Sequence, residues 1–360
     1  MTSLTDPLPL RRGPTLPNRL ALAPMTNTQS HPDGTLSDTE IEWLASRARG
    51  GFGHTMTAAA YVNPAGQAWP GQLGVSDDRH LPGLERLARE IHSAGSVSAV
   101  QLHHGGLRAE RSVTGQDLVA PFADHATGAR AMTTAEVQQL IEDFAQGAAR
   151  VERAGLAGVE LHGAHGYVLC QFLDPIHNLR EDGYGGDYAG RTRIFTEVIT
   201  AIREVTGPDF HVGVRVSAER HNLELAEMVQ LTSELLACQV LDFIDVSLWD
   251  VTKLPTGAPE GSTPLIDHFV DLPRHGTALG FAGKVTGAAT AQGVLDRGGD
   301  AVVVGKAAII DPQFGAKATA DPNYEAPPFP VTKQALRKAM VSEPFVDYFA
   351  HGWPHLIAEE

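Results

Sequence analysis

Residues 154–203 read AGLAGVELHGAHGYVLCQFLDPIHNLREDGYGGDYAGRTRIFTEVITAIR, and this stretch decides the fold. Residues 158–162 form a short apolar run of strand length, and residues 191–205 carry a helical pattern. Upstream, Thr133 or Thr134 opens a helix whose Val137, Leu140, Ile141, Phe144, Ala148 and Val151 follow the three-four spacing of one apolar face. Gly155 ends that helix before the strand. The stretch is thus one helix–strand–helix repeat of an α/β protein.

The same alternation runs outward in both directions. Eight short apolar runs, at residues 20–25, 54–61, 97–102, 158–162, 210–216, 241–248, 279–283 and 300–305, are separated by helical patterns. Among these are 81–94, 191–205, 223–237 and 288–297, and Ser37 or Asp38 caps a further one through Arg49. The runs are nearly continuous in apolar residues, as expected where both sheet faces are covered. Eight strand–helix repeats predict a (β/α)8 TIM barrel over residues 1–320. Residues 321–360, with Phe345, Tyr348, Phe349 and Trp353, are expected to pack on the barrel or on a neighbouring subunit. An open doubly wound sheet is the competing architecture, but no G-x-G-x-x-G turn follows the first strand. Residues 249–271, rich in Pro and Gly, are expected to form a loop with a weaker helix.

The totals narrow the function. A net charge of −15 without a basic block argues against binding to nucleic acid or an anionic membrane. Cys170 and Cys238 are too few for an iron–sulfur cluster or a four-cysteine zinc site, and read as two reduced thiols. The N-terminal residues lack the apolar core of a secretion signal and no run has membrane-span length, so a cytoplasmic protein is expected.

In a barrel, strand ends and the loops after them form the reactive face. His162-Gly163-Ala164-His165-Gly166-Tyr167 falls there. Two imidazoles can donate to one carbonyl oxygen while a phenol delivers a proton. Hydrogen-bonded packing is the competing reading, and zinc held with His103 or His104 is a weaker one, since no H-E-x-x-H helix supports it. Gly283-Lys284 and Gly305-Lys306 end the last two strands. Glycine amides, a helix start and the Lys306 charge suit a phosphate there, in a pattern that is not a P-loop. Pro24, Met25, Thr26 and Gln101 line the mouth. Arg215, inside HVGVRVS, needs an anionic or polar partner, either a ligand or a core carboxylate such as Glu160 or Asp245.

Together these residues resemble the old yellow enzyme family of flavin-dependent ene-reductases. The HGAHGY-to-YGG block carries most of the likeness. NRLALAPMT (18–26), QLHHGG (101–106), VGVRVS (212–217), FAGKVT (281–286) and DAVVVGKAAIIDP (300–312) follow in family order. The resemblance implies FMN as cofactor and NADPH or NADH as electron donor in a ping-pong cycle. Pro24, Met25, Thr26, Ala59, Gln101 and Arg215 would surround the flavin ring, and Gly283, Gly305 and Lys306 would hold its phosphate. His162 and His165 would bind the carbonyl oxygen of an α,β-unsaturated substrate, with Tyr167 as proton donor, in a homodimer or higher oligomer. No metal is implied.

The chain departs from the family pattern at three places. Lys306 replaces an arginine, residues 187–190 read Asp-Tyr-Ala-Gly, and Asn27-Thr28 replace an aromatic. Another flavin reaction on the same barrel, a non-catalytic flavin or small-ligand binder, and a cofactor-free barrel lyase are the alternatives.

Overall fold

The structure, a computed structural model, describes residues 2–358. Eight parallel strands close a barrel: β1 (Leu20–Leu22), β2 (His54–Tyr61), β3 (Val97–His103), β4 (Gly158–Gly163), β5 (His211–Ser217), β6 (Phe243–Ser247), β7 (Ala278–Ala282) and β8 (Ala301–Val304). Neighbours in sequence are neighbours in the sheet, and β8 closes on β1. The open-sheet alternative is therefore excluded. β1 stops three residues before the expected end. Its last ladder bond runs from the Ala23 N–H to the Val304 carbonyl at 2.9 Å, and Pro24 has no N–H with which to continue.

Each strand resolves into two rows, a feature the nearly continuous apolar runs concealed. Val159, Leu161, Val212, Val214, Val216, Ile244 and Val246 are buried in the layer between barrel and helices. The alternate positions face the barrel axis. At the lower end they are mostly apolar, including Met56, Val97, Ala99 and Phe243, with the buried histidines His54 and His211 among them. Toward the strand ends they turn polar: Gln101 is in register with Glu160, and His162 with Arg215, which in turn pairs with Asp245. In β2 the register slips between Met56 and Ala59, which sets Ala59 beside Gln101.

The helices begin where capping side chains dictate. Ser37 accepts the Glu40 N–H to open α1 (Asp38–Arg49), and Leu81–Ser93 forms α2. Thr133 and Glu136 form a reciprocal capping box at α3 (Thr134–Arg153). Asp187 caps α4 (Tyr188–Val205), which starts three residues before the pattern suggested. α5 (Leu225–Ala237) starts two residues late, after three left-handed residues. Ala288–Asp296 forms α6, and residues 249–271 are a loop with one 3-10 turn, Leu265–His268.

The C-terminal segment folds back across the strand ends. Its helices, Lys333–Lys338 and Glu343–Gly352, bury Leu336, Phe345, Val346 and Phe349 in the same core as α1. Phe345 meets Trp43 edge-on with centroids 5.6 Å apart, and the Arg47 guanidinium donates to the Ala339 carbonyl at 2.8 Å. Ser342 donates to Gln29, and Thr28 to the Pro344 carbonyl at 3.1 Å. No helix among the described residues is long and apolar enough to cross a membrane.

Candidate active site

The ends of β4, β5 and β6 bring His162, His165, Ser217 and Ser247 together. His165 lies in a left-handed turn (φ 59°) whose N–H donates to Ser217 Oγ at 3.0 Å. The two imidazoles stand edge to face, with centroids 5.1 Å apart and His162 Nε2 3.4 Å from His165 Nδ1. The tautomers follow from the remaining nitrogens. His162 Nδ1 accepts the Ala164 N–H at 3.4 Å, so the neutral ring carries its proton on Nε2. His165 Nε2 lies 2.9 Å from Ser247 Oγ. With Ser247 donating, the His165 proton sits on Nδ1 and both facing nitrogens are donors; with Ser247 accepting, His165 Nδ1 accepts the His162 Nε2–H. Burial holds both rings well below the ordinary imidazole range, and neighbouring cationic groups add to it. Neutral N–H donors, rather than imidazolium ions, are therefore presented.

Tyr167 packs against this pair, its ring centroid 5.0 Å from that of His162 and 4.3 Å from that of His103. Burial raises its pKa and nearby Arg108 opposes the rise, which keeps the phenol protonated as a donor requires. Trp69 and Arg108, two further contributors, went unread in the sequence, while the loop that Trp249 opens was expected to form part of the substrate pocket. Trp69 lies 6.3 Å from the Tyr167 ring, Trp249 lies 6.0 Å edge-on from His165, and the Arg108 guanidinium carbon sits 4.3 Å over Tyr167. Trp249 is 47% exposed and left-handed (φ 66°), a sign of a position set by something other than burial.

Beneath lies a polar layer. Gln101 donates to Glu160 Oε1 at 2.7 Å. Arg215 Nε lies 3.0 Å from Asp245 Oδ2, close enough for an ion pair but without hydrogen-bond alignment. Of the two carboxylates proposed for Arg215, Asp245 is thus its direct partner. Burial and the Asp245 charge raise the Glu160 carboxyl above the usual carboxylate range.

Thr26, Met25 and Pro24 are half-buried at the end of β1, and the Tyr348 hydroxyl from the C-terminal helix is hydrogen-bonded to Thr26. The β7 and β8 ends lie side by side. Gly283 has φ 156°, and a Cβ there would fall 2.6 Å from the Asp250 nitrogen. Above Gly305 the space is open: a Cβ would meet nothing nearer than Met25 Sδ at 3.7 Å. Lys306 follows at the start of Lys306–Ile310, its ammonium 5.8 Å from the Trp353 ring. Burial and nearby Lys284 both lower its pKa, which describes a cation in need of an anion.

This donor set suits FMN. Small side chains at Ala23, Ala59 and Ala282 leave room beside amide, hydroxyl and guanidinium donors, and an open glycine corner with a lysine matches a phosphate. His104 is not part of the site, since its Nδ1 accepts the Gly106 N–H. Among the described residues no group of three or more His, Cys, Asp or Glu side chains is arranged to hold a metal ion.

Comparison with known proteins agrees. Residues 3–324 match the family model described as NADH:flavin oxidoreductase / NADH oxidase. The probable NADH-dependent flavin oxidoreductase YqiG of Bacillus subtilis strain 168 is 34% identical over 325 residues, covering 87% of each chain. An NADPH dehydrogenase of Bacillus licheniformis is 34% identical, over 84% of this chain and 90% of its own. The old yellow enzyme homologue of Zymomonas mobilis superposes with a TM-score of 0.81 at 24% identity, covering 96% of this chain and 99% of that one, a likeness of fold.

Proposed function

Since this chain belongs to the NADH:flavin oxidoreductase / NADH oxidase family, with FMN as cofactor and NAD(P)H as electron donor, we propose that it reduces the carbon–carbon double bond of α,β-unsaturated carbonyl compounds. The observation that carries this reading is the facing pair of neutral imidazoles, His162 Nε2 3.4 Å from His165 Nδ1, with Tyr167 beside them.

Thr26, Ala59, Gln101 and Arg215, with Pro24 and Met25, would surround the flavin ring, and Gly283, Gly305 and Lys306 would hold its phosphate. FMN, when bound and reduced, would supply the hydride for the β-carbon. The protein does the rest. His162 and His165 hold the substrate's carbonyl oxygen and stabilise the negative charge that grows on it, as an oxyanion hole does. Ser247 donating to His165 Nε2 and the Ala164 N–H donating to His162 Nδ1 would leave both facing nitrogens as donors before substrate arrives. Tyr167 donates its phenolic proton to the α-carbon and regains one from solvent. Arg215 is a fixed positive charge facing the flavin position, matched to the charge that accumulates on reduction. Nicotinamide and alkene use the same mouth in turn, which gives a ping-pong cycle.

The visible spectrum of the purified protein, followed anaerobically by NADPH and then 2-cyclohexenone, tests the reading. A flavin spectrum that bleaches and then returns with the enone is the expected result. Bleaching with no recovery on any enone overturns ene-reduction while leaving the flavoprotein intact.

A further inference from the structure

Two arginines stand at the mouth without an acidic partner. Arg108, from the Gly106–Arg108 turn after β3, is exposed, lies 4.3 Å over the Tyr167 ring and donates to the His165 carbonyl. Arg220, after β5, lies 4.2 Å over the Trp249 ring, which meets His165 edge-on. Among the described residues no carboxylate lies within ion-pair distance of either. The acidic groups nearby are already committed: Glu219 to Lys253 and Thr256, Asp250 to Lys284 and Thr252, and Asp174 to His177 and Asn222. In a chain of net charge −15 such isolation is not a matter of acid shortage.

The placement is also costly. Arg220, His221 and Asn222 are consecutive non-glycine residues with φ of 74°, 54° and 62°. Left-handed backbone is disfavoured for each of them. The turn carries Arg220 to Trp249 and presses His221 against Gly166, where a Cβ would lie 2.8 Å from its Nδ1. Arg108 donates to the His165 carbonyl and Arg220 lies over Trp249, whose ring meets that of His165, so the pair flanks one entrance. Each guanidinium is held over an aromatic ring, and beyond the one Arg108 donor spent on the His165 carbonyl their N–H groups remain to grip an oxyanion, which lowers the ordering cost of doing so.

We propose that Arg108 and Arg220 form an anion-recognising rim for a carboxylate or phosphate on the small molecule entering the site. The inference rests on the ene-reductase reading for the alkene's chemistry and on the rim geometry for its charge. The expected alkene substrate carries a carboxylate separate from the carbonyl held by His162 and His165. A phosphate of the nicotinamide donor is the other source of the same chemistry.

Arg108→Gln, Arg220→Gln and the corresponding Lys variants of the FMN-loaded protein separate these cases. Turnover of 4-oxopent-2-enoate is compared with that of its methyl ester. Calorimetric binding of the saturated 4-oxopentanoate is compared with its own methyl ester, and flavin reduction by NADPH with that by NADH. A fall of about tenfold in the acid-to-ester ratio in either Gln variant, the scale of one charge-assisted contact, with partial rescue by Lys, supports the carboxylate. A fall confined to the NADPH-to-NADH ratio supports the phosphate. Unchanged ratios in all arms overturn the rim. If a variant does not fold, the wild type decides: its acid preference must shrink as salt rises to about 0.5 M, and a constant preference overturns the proposal. If neither alkene is turned over, the ene-reductase reading falls, while keto-acid binding still judges the arginines.

Discussion

Acid should weaken this barrel through one histidine far from the chemistry. His54 begins β2 at the lower end of the barrel, its ring 5.2 Å from that of His211 and 5.9 Å from that of Phe243, with neither nitrogen hydrogen-bonded. Burial alone pushes its pKa from 6.5 down to about 4. The folded ring therefore stays neutral in a pH range where the unfolded ring takes up a proton. Its contribution is intact above pH 6.5 and is lost as pH falls toward 4. One pKa unit corresponds to about 1.4 kcal/mol, so at pH 5 the loss is about 2 kcal/mol, against almost none at pH 7.5. Other groups also titrate, and comparison with His54→Leu cancels those that do not feel the His54 charge, as neighbouring His211 does. Urea unfolding followed by circular dichroism, with FMN held in excess, should show the variant gaining about 2 kcal/mol on the wild type between pH 7.5 and pH 5. A difference that stays constant within about 0.5 kcal/mol, the usual reach of a neutral surface change, refutes the argument and places water or a proton inside the barrel floor.

The remaining predictions concern the site. Tyr167→Phe should keep flavin reduction by NADPH while slowing alkene reduction by about 10² or more, read by stopped-flow in the two half-reactions separately. His162→Ala should lower kcat/KM for 2-cyclohexenone by about 10²–10³, the cost of one oxyanion donor, with the flavin still bound. Ser247→Ala should cost about tenfold on the same half-reaction, because His165 then loses the hydroxyl that keeps its proton on Nδ1; an unchanged rate would show that the tautomer is fixed otherwise. Ellman's reagent should titrate one thiol in the native protein. Cys238 is exposed, whereas burial pushes the Cys170 thiol up to about 12, so the second should react only on unfolding.

The barrel was legible because its strands announce themselves locally. Runs of Val, Leu and Ile between capped helices need no distant information, and strand ends missed by one to three residues reflect local facts such as the proline at position 24. The inward row was harder to see. Glu160, Arg215 and Asp245 are single polar residues in apolar runs, and what each one meets depends on register with another strand. Arg215 illustrates the limit: the sequence left Glu160 and Asp245 as equal partners, and the β5–β6 register brings Asp245 to it directly. The site was readable where its residues are consecutive, as in HGAHGY. Ser247, 82 residues from His165, and Arg108, 57 residues from it, carry no signal of their meeting, because only barrel closure brings them there. Tyr348 on Thr26 lies further still, and was legible as an aromatic tail without a destination.

That tail has a bearing on how the protein comes into being. Gln29 is tied to Ser342 across 313 positions, Thr28 to Pro344 across 316 and Arg47 to Ala339 across 292. During synthesis the first strand and helix emerge with their partners unmade, and the mouth acquires its roof only when nearly all of the described chain has appeared. Contacts this distant form late and slowly. The nascent barrel thus passes through a stage with an open top and an uncovered α1 face, in which Trp43 has no Phe345 to meet. Chaperone demand and proteolytic exposure should peak in that interval, and capture of the flavin should follow synthesis instead of accompanying it.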